Sequence, residues 1–171
     1  QKVVDKVINV CKRRGIGVSL DPKYNKSLRI KGLRLATPNY KEACFAAGVD
    51  IRTDNPVKDS ELARMGAILQ KKWDVELLII TLGPHGMFLL DKKGRRSIIP
   101  TKAKEVYDVS GAGDTVIAAA TLALAGGASD YQAASIANYA AGVVVGKFGT
   151  ATCSPAELLE CMKWNGGMLK R

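Results

Sequence analysis

Histidine is nearly absent from this chain. His85 is the only one, and the four cysteines (Cys11, Cys44, Cys153 and Cys161) include no C-x-x-C pair. That combination excludes an ordinary zinc site, which needs several such ligands at close spacing. Long apolar runs are lacking too. The longest candidate, residues 118–125, is an Ala/Leu stretch, well short of the roughly 18 residues that a membrane helix requires. No basic, apolar and cleavage-site succession opens the chain, so no secretory signal is read, and the sequon-like Asn25-Lys26-Ser27 has no exporting context. These absences set the expectation of a cytoplasmic protein without a membrane partner, its thiols reduced and mostly buried.

What is present is the material of one globular domain. The chain has 171 residues, 47% of them hydrophobic and 25% charged, which excludes wholesale disorder and predicts a single domain over residues 1–171. The net charge of +10 is unevenly spread: residues 1–34 hold ten of the 26 Lys and Arg but only two of the 16 acids, Asp5 and Asp21. This basic segment is either an anion or nucleic-acid patch or a solvated helix face and loop. The second reading is favoured because the basic residues are not interleaved with aromatics, so nucleic acid is not the expected partner.

Hydrophobic spacing sorts the chain into alternating helices and strands. Val3, Val4, Val7, Ile8 and Cys11 repeat at helical intervals and Gly15 ends the run. Residues 16–20 and 33–37 read as strands, with a basic loop or short helix over 24–32 between them. Helices are predicted over 40–48, 59–73 (through Leu62, Met65, Ile68 and Leu69), about 114–125, about 130–147 and 155–163, the last stopping before Gly166-Gly167. Residues 75–81 form a β-branched and Leu run suited to a strand buried on both faces. Residues 87–90 and 97–99 flank Lys92-Lys93-Gly94-Arg95 as a hairpin. The pattern specifies an α/β fold, a mostly parallel sheet with helices on both faces, and places a ligand beyond the carboxyl ends of the strands. Those ends are Asp21-Pro22-Lys23, Thr37-Pro38-Asn39 and Thr81-Leu82-Gly83.

Two phosphate motifs fail on inspection. Gly15-Ile16-Gly17 lacks a third glycine and precedes a strand instead of following one; Gly142 to Phe148 is one residue short of a P-loop, with Phe148 where Ser or Thr must meet magnesium. The strongest signal is Asp108-Val109-Ser110-Gly111-Ala112-Gly113-Asp114-Thr115, directly before an Ala-rich helix. Small residues at 111–113 admit a ligand close to the backbone, and free amides at a helix start form an anion hole with the helix dipole. Asp114 there can accept a proton from an attacking hydroxyl, or can simply be an N-cap beside a glycine turn. Asn39 and Glu42, three residues apart where a strand turns into a helix, suit hydrated magnesium beside phosphates, or equally a capping box. Thr81, Gly83 and Gly86 offer a hydroxyl and bare amides, or a tight turn. His85 reads as an exposed loop residue without a role.

Taken in order, Asp21-Pro22-Lys23, Thr37-Pro38-Asn39-Tyr40-Lys41-Glu42, Thr81-Leu82-Gly83-Pro84-His85-Gly86 and Gly111-Ala112-Gly113-Asp114 resemble the ribokinase-like (PfkB) carbohydrate kinase family. The stretch from Asp108 to Ala118 and Leu124-Ala125-Gly126-Gly127-Ala128 look most like its heptose-7-phosphate kinase branch, the kinase half of ADP-heptose synthases of lipopolysaccharide core synthesis. The resemblance implies a three-layer α/β/α fold and an ATP-dependent sugar kinase, with a nucleotide and a phosphosugar as small-molecule partners. Carried over by position, Asp114 is the catalytic base and the amides of Gly111, Ala112 and Gly113 are the anion hole. Asn39 and Glu42 organise magnesium through water, Thr81, Gly83 and Gly86 line the ATP phosphates, and Asn138 matches an adenine-side position. A monovalent cation is implied near the Asp108 loop and residues 147–152.

Family members are longer, and the sugar-binding Gly-Gly segment and β lid of their amino-terminal half are not recognised here. The expectation is therefore a fold truncated on its amino-terminal side, the ATP-binding carboxy-terminal part of a kinase domain, inactive in isolation and exposing a sheet edge that could pair in a homodimer. The alternatives are another kinase of the same family acting on a different sugar or a nucleoside, and a non-catalytic basic module that binds anions or nucleic acid.

Overall fold

The computed structural model describes residues 1–23, 29–50, 59–103 and 105–164; the sequon-like triplet, most of the basic loop and the Gly166-Gly167 stop lie outside them. Two compact units are present, residues 1–98 and residues 99–171.

The first unit is organised around a sheet in the order β1 (Ser19–Leu20), β2 (Leu33–Ala36), β3 (Val75–Thr81), β4 (Met87–Asp91), β5 (Arg96–Ile99). β1, β2 and β3 are parallel, with Leu20 opposite Ala36 and Ala36 opposite Leu78, and β4 returns antiparallel to β3. The run of residues 75–81 is the strand expected, and residues on both of its faces, Leu77 and Ile79 on one and Leu78 and Ile80 on the other, are fully buried. The crossover helices cover one face. α2 (Tyr40–Ala47) and α3 (Asp59–Trp73) join β2 to β3, and Ala43, Cys44, Leu62, Met65 and Leu69 share a cluster with Leu78, Ile80 and Phe88. Gly66 lets α3 approach β4: a Cβ there would lie 3.0 Å from atoms of both Phe88 and Leu90. Ile68, read as part of the buried stripe, is 37% exposed; Trp73, one turn beyond Leu69, is buried in its stead.

α1 (Lys2–Arg13) also departs from its pattern. Val4 and Ile8 pack on the cluster, while Val3 and Val7 face outward. β1 is shorter than residues 16–20 because pairing with β2 is limited to Ser19 and Leu20, and Ile16 is exposed. All four cysteines are free, as expected, but only Cys44 is buried; burial pushes its thiol pKa up. The β4–β5 turn is held by Asp91, whose buried carboxylate accepts from the amides of Lys93 (2.8 Å) and Arg95 (2.9 Å) and from the Arg95 guanidinium. Burial alone would raise its pKa; these bonds outweigh that and leave it below the usual carboxylate range.

In the second unit α4 (Ala112–Ala125) and α5 (Asp130–Val145) pack along each other, and α6 (Pro155–Trp164) lies against α5. Ala120, Ala133, Ala134 and Ala137 are fully buried, and such small side chains let the helix axes approach closely. Ser129 and Gln132 form a capping box that starts α5. The failed P-loop glycine has a packing role. At Gly142 the backbone of residues 102–103 crosses α5 so closely that a Cβ would meet Lys102 C and Ala103 N at 3.0 Å.

Two outcomes follow. Gly142→Ala gains about 1 kcal/mol of helix propensity but forces backbone against backbone, an overpacking cost of roughly 1–3 kcal/mol, so urea unfolding should show a net loss of stability. Asp91→Asn should lower the melting temperature at pH 7. Because the folded pKa of Asp91 lies below its unfolded value of about 3.9, its contribution is present above that value and lost as pH falls through the folded pKa. The gap between wild type and variant should accordingly close below about pH 4.

Candidate active site

The residues singled out from sequence fall into two groups, one in each unit. In the first, β2 and β3 end side by side, where the Thr81 amide donates to the Pro38 carbonyl at 3.0 Å and Asn39 bridges Thr81 in parallel fashion. Asn39 and Thr81, 42 positions apart in the chain, are thus neighbours. Asn39 is the N-cap of α2. Its Oδ1 accepts from the Glu42 amide (2.9 Å), and Glu42 Oε2 accepts from the Asn39 amide (2.9 Å). The capping-box alternative is therefore realised. It uses one carboxylate oxygen of Glu42, which is 6% exposed.

Beyond Thr81 the chain makes one 3₁₀ turn, Gly83–His85, closed by the Leu82 amide donating to the Gly86 carbonyl at 2.8 Å. Gly83 (φ 58°) and Gly86 (φ 90°) hold left-handed conformations that this reversal needs. His85 is exposed, as read. One group was not flagged by sequence. The Thr37 hydroxyl at the end of β2 is 2% exposed and has no hydrogen-bond partner, an arrangement natural proteins rarely leave without a water or ligand. Its threonine was legible in Thr37-Pro38-Asn39; its burial was not.

In the second unit Gly111 (φ 79°) is the N-cap of α4, so Asp114 stands at the third helical position with its side chain exposed. The reading of Asp114 as an N-cap is not realised. The Ala112 amide turns back to the Val109 carbonyl at 3.2 Å, whereas among the described residues the amides of Gly111 and Gly113 have no backbone acceptor. Donors without acceptors at a helix start, reinforced by its dipole, favour an anion.

The turn before them is fixed. Tyr107 and Asp108 donate their amides to Val145 O at the end of α5 (2.8 and 3.3 Å), and Asp108 Oδ1 accepts from the Ser110 amide at 2.8 Å. Bonds from the Ser110 hydroxyl and amide, and from the Gly149 amide, hold the Asp108 carboxyl below its usual range. Asn138 is buried in α5, 3% exposed, and donates Nδ2 to the Pro100 carbonyl at 2.7 Å, tying the chain before residue 103 to the helix.

A left-handed Gly cap, donors without acceptors and an exposed carboxylate one turn into the helix are features of a phosphate-handling site on an α/β fold. The model of the pfkB family carbohydrate kinases matches residues 1–157, and the chain belongs to that family. Among curated relatives it is 46% identical over 156 residues to the bifunctional protein HldE of Geobacter metallireducens, covering 91% of this chain and 31% of that protein. It is 42% identical over 163 residues to HldE of Syntrophotalea carbinolica, covering 95% and 32%. The chain thus spans about a third of the length of these relatives. Among solved structures it superposes on ribokinase of Arabidopsis thaliana complexed with ribose and ATP (TM-score 0.82, 23% identity, 94% of this chain and 52% of that one). It also superposes on phosphofructokinase-2 of Escherichia coli in complex with potassium (TM-score 0.80, 19% identity, 95% and 52%). The ribokinase-like α/β fold expected from the motifs is the fold observed. No helix among the described residues is long and apolar enough to cross a membrane.

Since the Asn39 cap is intramolecular, Asn39→Ala should cost about 1 kcal/mol in urea unfolding, with or without a magnesium chelator, while Asn39→Asp, which keeps the acceptor, should retain most of the stability.

Proposed function

We propose that this chain carries the ATP-side elements of a carbohydrate kinase that phosphorylates heptose 7-phosphate at its anomeric hydroxyl, a step of ADP-heptose formation for the lipopolysaccharide core. The observation that supports the reading most is the start of α4. Gly111 and Gly113 present amides without acceptors beside the exposed carboxylate of Asp114, in a chain of the carbohydrate kinase family. The choice of heptose rests on the identity with HldE proteins; the residues themselves select no sugar.

In this reading the acceptor hydroxyl gives its proton to Asp114 as its oxygen attacks the γ-phosphorus. The bond from that phosphorus to the β,γ-bridging oxygen breaks, and ADP leaves with the electron pair. The amides of Gly111 and Gly113 stabilise the charge on the transferred group; Ala112 joins them if its bond to Val109 opens. Thr81, Gly83 and Gly86 line the phosphates, with Asn138 on the adenine side. The donor set at the start of α2 suits magnesium held through water, because the cap engages only Oε2 of Glu42 and magnesium takes few protein oxygens while keeping its waters. Glu42, with Asn39 positioning it, would hold that hydrated ion, which when bound supplies charge neutralisation at the phosphates. A monovalent cation beside Asp108 belongs to the same reading, as does a cytoplasmic location.

Calorimetric titration with a non-hydrolysable ATP analogue tests the reading directly. Saturable, magnesium-dependent binding that Gly113→Asp abolishes is the expected result. Binding of polyanions with steep salt dependence and no effect of magnesium would instead indicate a basic binding module. In a full-length kinase carrying these residues, Asp114→Asn should lower turnover by about 10²–10⁴ with nucleotide binding preserved. Retained turnover would remove Asp114 from its role, and a substrate panel on the same protein decides the acceptor.

A further inference from the structure

The segment that follows α5 lies against both sides of the turn that opens α4. Gly149 lies on the side of the Asp108 carboxyl and helps to hold its pKa down. Thr150 Cγ2 sits 3.2 Å from where a Gly111 Cβ would be, and the Phe148 ring meets the Tyr107 ring at a tilt of 47° with centroids 4.9 Å apart. None of these contacts explains what keeps the segment itself in place. Its ends are joined by one side chain: Lys147 Nζ donates to the Thr152 carbonyl at 2.8 Å and pairs with Glu157 Oε1 at 2.5 Å. The other oxygen of Glu157 accepts from the Ser154 amide (2.9 Å) and hydroxyl (2.8 Å) at the start of α6, and the Ser154 hydroxyl in turn accepts from the Glu157 amide (3.3 Å). The S-x-x-E spacing of Ser154 and Glu157 was readable from sequence; the long reach of Lys147 to it was not.

We infer that Lys147 and Glu157 are positioning residues, a clamp that holds residues 148–152 against the Asp108–Gly111 turn and so sets the geometry of the amides opening α4. The inference rests on the reading of those amides as a phosphate site. An exposed ion pair by itself contributes little to stability, and both partners here are about a third or more exposed. The work of this pair is to fix a shape. Lys147 and the Ser154 bonds hold the Glu157 carboxyl at a pKa of about 2, so the charged form that makes the clamp persists at all ordinary pH values.

The test uses Lys147→Met and Glu157→Gln, singly and together, with Lys147→Arg as the conservative replacement. The Gln variant still accepts from Ser154 and preserves the α6 cap, so it serves where Lys147→Met does not fold. Without any ligand, hydrogen exchange at the Asp108 amide, which is bonded to Val145 O in the turn the segment covers, should quicken at least tenfold in each single variant, by no more in the double variant, and return toward wild type in Lys147→Arg. Amide chemical shifts from Gly111 to Asp114 should move with it. Unchanged exchange and unchanged shifts in a folded Glu157→Gln variant would overturn the clamp, whatever the ligand.

Titration with the ATP analogue separates the two readings. Wild-type binding that weakens about tenfold in the loosened variants supports the positioning role. Wild-type binding that the loosened variants retain in full would overturn it and leave the kinase reading standing. If the wild type binds no analogue, the nucleotide reading fails for this chain, and exchange and shifts still decide the clamp.

Discussion

The burial of β3 on both faces is the constraint from which the first unit is built. A strand with Leu77 and Ile79 on one face and Leu78 and Ile80 on the other cannot leave either face in water without losing about 1.5–3 kcal/mol per exposed side chain. Parallel pairing with β2 follows from that demand, because a parallel neighbour requires a crossover, and the crossover helices α2 and α3 cover one of the faces. Side-by-side parallel strands also end at the same level. The capping box of α2 and the glycine turn after Thr81 are brought together by the packing of the sheet, next to core residues Ala43, Cys44 and Leu82.

The second unit solves a different problem. Its helices are made of alanine and other small residues, so they gain little from each buried side chain and depend on close approach. Close approach brings backbone near backbone, as at Gly142, and buried polar groups must then find partners, as Asn138 does at Pro100. At the start of α4, among the described residues, the amides of Gly111 and Gly113 have no backbone acceptor. Leaving them so is costly unless water or a ligand satisfies them. That turn is bonded to Val145 on one side and packed by Phe148 and Thr150 on the other, which suits a site whose donors are held in place before a charge arrives.

Much of this was legible residue by residue. The β-branched run of residues 75–81, the Lys-Lys-Gly-Arg hairpin and the Asn39-x-x-Glu42 cap are local patterns, and each appears where its pattern places it. The readings that needed revision concern exposure. Val3, Val7 and Ile68 lie on helical stripes of the right period but outside the arc that meets the sheet, and Ile16 lies beyond the reach of a paired neighbour. Periodicity reports which residues share a helix face; it does not report how wide the covered arc is.

By itself, then, the sequence determined the elements, their caps, the glycine turns and, through the ordered motifs, the family. Each element, cap and turn depends on residues within a few positions of one another, where backbone geometry leaves few choices, and the family on the order in which such local motifs follow along the chain. Tertiary structure alone decided that Asn39 meets Thr81, that Gly142 underlies residues 102–103, that Thr150 seats against Gly111 and that Lys147 reaches the first turn of α6. Those meetings are set by how helices and strands pack around a shared core, and the side chains that meet carry no local mark of their partners.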